Sequence, residues 1–312
     1  MDISIIIPTH NNGETIEKAI RSVLDQDFKG EYEICLALDN CDDSTLEVVS
    51  TLAKANPNIH FVEVDVRGDL RSRLAAFAIS SGEYIMFLDG DDYLREDALS
   101  LAYGKMKDSD ADIGNFGLYY VTKKGIRPSF FRVDGHYSQK KAMKVFLRDI
   151  TYRGFMATKI MKRSLIEAID FSYSGKMMIY MDALFIFLSI CHARKVISIK
   201  EPLYYYNKAN ENSVTSVGYK RIYDNLSVRA NMRRACEMKR EAWLFRMFRF
   251  NRFRVKLLLL VDFRMSSFES KQEKRKVKAL VKEEMKLIYG KSTLREEGHS
   301  YSGSIREISF TI

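Results

Sequence analysis

Cysteine is scarce and unpatterned in this chain. Cys35, Cys41, Cys191 and Cys236 are the only four, and no pair has the C-x-x-C spacing of a metal site or redox motif. Cys35 falls inside a run that reads as a buried strand, so free thiols in a reducing compartment are expected. No stretch approaches the roughly 18 to 20 uninterrupted apolar residues of a membrane span. Met1-Asp2-Ile3 lacks the basic segment that opens a secretion signal, which gives the expectation of a cytoplasmic protein whose mature form starts here. Neither G-x-G-x-x-G nor a Walker A sequence occurs, which excludes the dinucleotide fingerprint and the glycine-rich phosphate cradle. A diphosphate bound by this chain needs a cation to neutralise it instead. Internal repeats and low-complexity tracts are also missing.

The 312 residues are 46% hydrophobic and 29% charged, the profile of a globular chain with room for one large domain and an appendage. The net charge of +9 is unevenly placed: Asn225 to Gly290 holds 18 Lys and Arg against 7 Asp and Glu, or +11, which leaves −2 for the rest. A boundary near residue 220 is expected, with 1–220 near neutral and 221–312 a basic helical region.

The first hundred residues alternate strand and helix patterns. Ile3 to Ile7 reads as a strand stopped by Pro8, Asn11-Asn12-Gly13 as a turn and N-cap, and Ile16, Ile20, Val23 and Leu24 as a helix stripe. Ile34 to Leu38 follows as a strand, then a helix burying Leu46, Val49 and Leu52, then strand Ile59 to Val64. Leu70 to Ile79 reads as helix and Tyr84 to Leu88 as strand. This alternation predicts an α/β fold with a Rossmann-like, mostly parallel central sheet flanked by helices and right-handed crossovers. Ligands of such sheets bind beyond the carboxyl ends of the strands.

Asp89-Gly90-Asp91-Asp92 directly follows the fourth of these strands. With 21 Asp in 312 residues, about 1.4 Asp-x-Asp matches arise by chance, so the spacing alone carries little. Its position carries more. Pro8-Thr9-His10-Asn11-Asn12 after the first strand, Asp39 after the second and the triplet after the fourth converge on one rim, and carboxylates there suit a hard divalent cation and its diphosphate.

These segments resemble the family 2 glycosyltransferases, inverting enzymes of the GT-A fold that use a nucleotide-diphospho-sugar, and residues 1 to about 215 carry the likeness. Ile3-Ser4-Ile5-Ile6-Ile7-Pro8-Thr9-His10-Asn11 is similar to the family's S-I-I-I-P-T-Y-N. Gly82-Glu83-Tyr84-Ile85-Met86-Phe87-Leu88-Asp89-Gly90-Asp91-Asp92 is similar to its G-E-Y-I-x-F-L-D-S-D-D. Ala157-Thr158-Lys159-Ile160-Met161-Lys162-Arg163-Ser164-Leu165-Ile166 resembles a K-L-F-K-R-S-L-I element, and Met181-Asp182-Ala183-Leu184-Phe185 falls where the family has E-D-x-x-F.

The resemblance implies a nucleotide-sugar half at 1–111, an acceptor half at 112–220 and a set of roles. Asp91 meets Mn²⁺ or Mg²⁺, with Asp89 against the ribose or the metal's water shell. Asp39 accepts from a nucleobase, most often uracil. Asp182 is the catalytic base, with a helix N-cap as its plain structural alternative. Pro8, Thr9, Asn11, Arg73, Gly90 and Asp92 line the nucleotide-sugar site, Asp92 otherwise serving as N-cap for a helix starting near Arg95. Lys208 and Ser213, in the closing Tyr204-Tyr205-Tyr206-Asn207-Lys208 strand and the Asn212-Ser213-Val214-Thr215 loop, contact the diphosphate. The implied activity is hexosyl or N-acetylhexosaminyl transfer from a UDP-linked donor to a glycan or lipid-linked acceptor in cell-surface polysaccharide synthesis. Leu38 departs from the family's first Asp of D-D, His10 from its Tyr, and Arg73 keeps the Arg of A-R-N-x-G, free to pair with an acidic neighbour or a phosphate.

In the basic region Trp243, Phe245, Phe248, Phe250 and Phe253 interleave with Arg246, Arg249, Arg252 and Arg254. Such a tail suits an anionic membrane surface on the inner leaflet, or packing against the catalytic domain or another subunit. No nucleic-acid recognition motif accompanies the charge, so a nucleic-acid partner is not expected. A catalytically silent sugar-nucleotide-binding or scaffold protein is the alternative function. It would lose the metal ligand or the base, whereas Asp91 and Asp182 are both present.

Overall fold

A computed structural model describes residues 1–128, 135–148, 155–171, 181–208, 220–266, 268 and 270–290. The chain opens with β1 (Ile3–Thr9), α1 (Ile16–Leu24), β2 (Tyr32–Asp39), α2 (Thr45–Ala55), β3 (Ile59–Val64), α3 (Asp69–Ala78) and β4 (Tyr84–Phe87). These strands lie in the order β3-β2-β1-β4, all parallel. Strand order reverses between β1 and β4, so a crevice opens at their carboxyl ends, the usual ligand position of an open α/β sheet.

Every residue of β1 is buried. Ile3, Ile5 and Ile7 face the layer containing α1 and α2, whereas Ile6 faces the opposite layer, as the two-residue repeat of a strand requires. Helix α1 buries Ile16, Ala19, Ile20 and Val23. In α2 Val49 and Leu52 are buried, but Leu46 is exposed, contrary to the sequence pattern. Pro8 does not end β1, which pairs with β2 through Pro8 and Thr9. By that point β4 has ended, its register with β1 stopping at Ile6, so no donor is required of Pro8 on that side.

The remaining elements are β5 (Tyr93–Leu94), α4 (Ala98–Ser109), β6 (Ile113–Thr122), β7 (Gly125–Pro128), β8 (Gly135–Ser138), α5 (Gln139–Arg148), a 3-10 turn at Met156–Thr158, β9 (Lys159–Lys162), α6 (Arg163–Glu167), α7 (Met181–His192) and β10 (Lys195–Asn207). They extend the sheet as β4-β9-β6-β10-β5, with β7 on β6 and β8 on β10. The parallel core is as expected, and antiparallel strands join it in this half. β9 runs antiparallel to both β4 and β6, and β5, β7 and β8 are antiparallel to their neighbours, leaving only the β6 and β10 pair parallel in this half. The apolar pattern of Ile160 and Met161 marks a strand but does not encode its direction.

The C-terminal helices α8 (Lys220–Lys239), α9 (Ala242–Phe250), α10 (Arg252–Met265) and α11 (Lys271–Tyr289) are not a detached appendage. Ile222, Leu226, Met232, Phe248, Met285 and Tyr289 join one core with Phe146 of α5 and Phe185 and Phe187 of α7. Among the described residues no helix is long and apolar enough to cross a membrane.

Candidate active site

The acidic triplet forms a tight turn just past β4, closed by the Asp92 amide donating to the Asp89 carbonyl at 3.0 Å. Thr15 Oγ1 donates to the Gly90 carbonyl at 2.9 Å, so the loop after β1 packs on this turn. A side chain at Gly90 would lie 2.9 Å from Asn12 Oδ1, which is why the smallest residue suits this approach.

Behind the turn, Arg73 of α3 is 4% exposed. Its Nε and Nη2 donate to Asp69 at 2.9 and 3.0 Å in a two-toothed pair, and Nη2 also donates to Asp89 Oδ1 at 2.5 Å. Nη1 is buried with no hydrogen-bond partner among the described residues. A buried guanidinium is tolerable only with such partners, so Arg73 fixes the orientation of Asp89. Of the two readings open in the sequence, pairing with acidic neighbours is the one realised here.

Asp182 lies in the first turn of α7. Phe185, one turn further on, packs edge-on against Phe87 at 5.5 Å, which places Asp182 over the end of β4 beside the triplet. Its Oδ2 accepts from the Met156 amide at 3.1 Å, a partner from a different segment, so it does not serve merely as a cap of its own helix. Burial pushes its carboxyl up to about 6; Arg73 opposes this, while Asp69 and Asp89 add to it. Asp182 is half-buried, with Arg73, Asp69 and Asp89 as the charged groups acting on its carboxyl.

Asp92 turns the other way. It is 1% exposed, its Oδ2 accepts from Tyr204 Oη at 2.5 Å and its Oδ1 from the Asn207 amide at 2.7 Å. Tyr204 Oη in turn accepts from the Asp89 amide at 3.1 Å, so one buried tyrosine of β10 ties the triplet to the far half of the sheet. The N-cap alternative for Asp92 is not realised, since α4 starts at Ala98 with Asp97 before it. Burial raises the Asp92 carboxyl to about 8, with Asp89 and Asp91 contributing and the Asn207 and Tyr204 donors opposing. Tyr204→Phe removes a donor to Asp92 and the acceptor of the Asp89 amide together. A loss of about 1–3 kcal/mol in unfolding free energy is expected by denaturant titration. An unchanged midpoint would show that the bridge does not hold the triplet.

At the end of β2, Asp39 accepts from the amides of Val66 at 2.9 Å, Arg67 at 3.1 Å and Gly68 at 3.1 Å, and from Ser72 Oγ at 2.7 Å. Burial alone would raise its pKa, but these four donors, Ser72 foremost, hold it below the ordinary range. They also occupy the roughly four acceptor positions of a carboxylate. All four donors come from the turn between β3 and α3 and from the start of α3, so Asp39 holds that turn in place. His10 is a structural residue as well, its Nδ1 lying 2.7 Å from the Asp39 carbonyl. Thr9 Oγ1 donates to Asn12 Oδ1 at 2.9 Å, and Asn11, at φ 52°, exchanges bonds with Asp42 at 2.6 and 2.9 Å. Pro8 and Thr9 end buried at the lip of the crevice.

A cavity of about 330 Å³ opens nearby, between Leu38, Asn40, Cys41, Leu46, Glu63, Val64 and Asp65. Glu63 and Asp65 make it unsuitable for a diphosphate. Lys208 is exposed, its Nζ 4.2 Å above the Tyr120 ring, and it follows directly on the Asn207 amide held by Asp92. Ser213 lies outside the described residues. Sequence reasoning missed Asp69 and Tyr204. The i, i+4 spacing from Asp69 to Arg73 was an available signal; the Tyr204-Tyr205-Tyr206 run gives none that singles out Tyr204.

The parallel βαβ half, the acidic turn at its switch point and the mixed second half define a GT-A glycosyltransferase fold. Residues 4–170 match the profile of glycosyl transferase family 2, and the chain belongs to that family. It is 26% identical over 223 residues to the poly(ribitol-phosphate) beta-N-acetylglucosaminyltransferase TarS of Staphylococcus aureus, covering 70% of this chain and 38% of that protein. It is 27% identical over 222 residues to a poly(ribitol-phosphate) beta-glucosyltransferase of Bacillus spizizenii, covering 70% of this chain and 34% of the relative. The chain thus spans little more than a third of the length of these two relatives. The crystal structure of S. aureus TarS 1-349 in complex with UDP-GlcNAc superposes with a TM-score of 0.63 at 18% identity, covering 93% of this chain and 90% of that one. A mannosyltransferase from Pyrobaculum calidifontis in complex with GDP-Man and Mn²⁺ gives 0.51 at 16% identity, covering 91% and 79%. At these identities the structural likeness is one of fold.

Proposed function

We propose that this chain transfers a sugar, with inversion, from a UDP-linked donor to a hydroxyl of a glycan or lipid-linked acceptor in the synthesis of a cell-surface polymer. The observation that carries the reading is the convergence of Asp69, Asp89 and Asp182 around the buried Arg73, at the acidic turn that follows β4. The naming of relatives as poly(ribitol-phosphate) sugar transferases supports the acceptor class.

The donor set fits a hard divalent cation. Asp91 and the Oδ2 of Asp89, which accepts no bond among the described residues, are carboxylate oxygens from one tight turn. Asp91 and Asp89 would hold the cation together with the donor's diphosphate. A Mn²⁺ or Mg²⁺ held there would supply charge neutralisation for the departing nucleotide diphosphate.

The chain's own groups do the rest. Asp182 takes the proton from the acceptor hydroxyl as that oxygen forms its bond to the anomeric carbon and the bond to the diphosphate oxygen breaks. A single displacement inverts the configuration. Arg73 holds Asp89 in place and favours the ionised form of Asp182. Pro8, Thr9 and Asn11 border the nucleotide, Gly90 permits the close turn, and Lys208 stands at the diphosphate end. Asp39 and Asp92, held by their own protein donors, build the walls of the site.

The base must be ionised to act, and its folded pKa of about 6 places the acid limb. kcat/KM should therefore rise with pH through about 6 and level above it. Arg73→Met removes the main group lowering that pKa, so the limb should move to higher pH. An unmoved limb would separate Arg73 from the base.

Thermal unfolding across a panel of sugar nucleotides tests the donor. UDP-sugars with Mn²⁺ should raise the midpoint, by about 2.7 kcal/mol of stabilisation at a hundred times Kd. Protection by none of them, or protection equal without metal, would contradict the reading.

A further inference from the structure

Helix α10 presents the wrong face to solvent. Its inner side is anchored by the buried Val255 and Leu259, an i, i+4 pair. Phe253, Leu257, Leu260 and Val261 recur at i, i+4, i+7 and i+8, share the opposite face and are exposed, Phe253 at 80%. Phe250, at the end of α9, adds a second exposed ring at 83%. A surface helix ordinarily turns charges outward here. Five large apolar side chains left in water on two adjoining helices mark an interaction surface.

The charges around this stripe select the partner. Arg246, Arg249, Arg252, Lys256 and Arg264 are all exposed, and no Asp or Glu occurs between residues 242 and 261. The surrounding segment from Asn225 to Gly290 carries +11. A second copy of this chain meeting the stripe across a two-fold axis would bring these cations against their own equivalents, an arrangement that opposes association. An anionic lipid surface offers an apolar layer for the rings and leucines and negative headgroups for the flanking cations. No described helix is long and apolar enough to cross a membrane, so the lipid contact considered is with the bilayer surface.

We propose that the outward face of α9 and α10, built on Phe250, Phe253, Leu257, Leu260 and Val261 with a rim of Arg249, Arg252 and Lys256, docks the protein on an anionic lipid bilayer. The surface is separate from the crevice that binds the donor and holds whatever sugar is transferred.

Sedimentation of the full chain with vesicles, with no nucleotide present, tests this apart from catalysis. Wild type should partition onto vesicles containing phosphatidylglycerol, weakly onto pure phosphatidylcholine, and be released by raised salt. Arg249→Gln combined with Arg252→Gln and Lys256→Gln should weaken partition on the order of a hundredfold. Phe253→Ser with Leu257→Ser and Leu260→Ser should do likewise. Both variants should keep the wild-type unfolding midpoint and UDP-sugar protection, since these side chains are exposed. Failure of the wild type to bind anionic vesicles would overturn the proposal, as would partition indifferent to either set. A concentration-dependent dimer abolished by the apolar set would instead assign the face to a second copy.

Discussion

Asp182→Asn should abolish sugar transfer while leaving the protein folded and able to bind its donor. The asparagine is isosteric and keeps an oxygen for the Met156 amide, which the aspartate holds at 3.1 Å. What it loses is the capacity to take a proton, and loss of a positioned general base costs about 10²- to 10⁴-fold in rate. The same substitution relieves a cost. Burial together with Asp69 and Asp89 raises the carboxyl to about 6, so at pH 8 the wild type holds an ion that its surroundings disfavour. The variant should therefore unfold at the wild-type midpoint or above it at pH 8. That difference should shrink as pH falls through 6 and the aspartate becomes neutral. Loss of activity with equal or greater stability is the mark of a residue kept for chemistry, at a cost to the fold. A variant that transfers sugar at the wild-type rate would remove Asp182 from the mechanism. One that is inactive because it is unfolded would show its role to be structural.

Asp91→Asn should fail differently. With one ligand charge gone from the turn, donor binding should lose its dependence on Mn²⁺ or Mg²⁺, and transfer should fall on the order of a thousandfold, the equivalent of the several kcal/mol a metal contributes to a departing oxyanion. Calorimetric titration of a UDP-sugar with and without metal reads this directly. Its neighbour gives the contrast. Asp92→Asn removes a carboxylate that accepts from Tyr204 and Asn207, and an amide nitrogen cannot accept from either. That variant should lose stability first, and activity through it. Adjacent residues of the same type would then show a metal-binding phenotype and a folding phenotype. Retention of metal-dependent donor binding in Asp91→Asn would contradict the assignment.

The first four strands and the position of the acidic turn were legible because apolar runs of strand length alternate with helix stripes, and ligands follow strand ends in such sheets. Direction in the second half was not legible. Ile160 and Met161 would be equally buried in a strand running either way, and β9 owes its antiparallel course to β4 and β6, both distant in sequence. The division of labour within the triplet was hidden for a similar reason. Nothing in Asp-Gly-Asp-Asp distinguishes the carboxylate that faces the crevice from the one that Tyr204, more than a hundred residues on, draws into the core. Asp39 illustrates a family position whose local bonding decides its task, since its four donors come from the turn beyond β3 and from Ser72. For the basic tail the sequence left packing and docking both open. The fold buries Phe248 against Tyr289 and turns Phe250 and Phe253 outward.

The most direct test of the account is the anomeric configuration of the product formed from an α-linked UDP-sugar in the presence of Mn²⁺, read by proton nuclear magnetic resonance. A single displacement with Asp182 as base predicts a β-linked product from the wild type and none from Asp182→Asn. An α-linked product, or transfer undiminished in that variant, would contradict it.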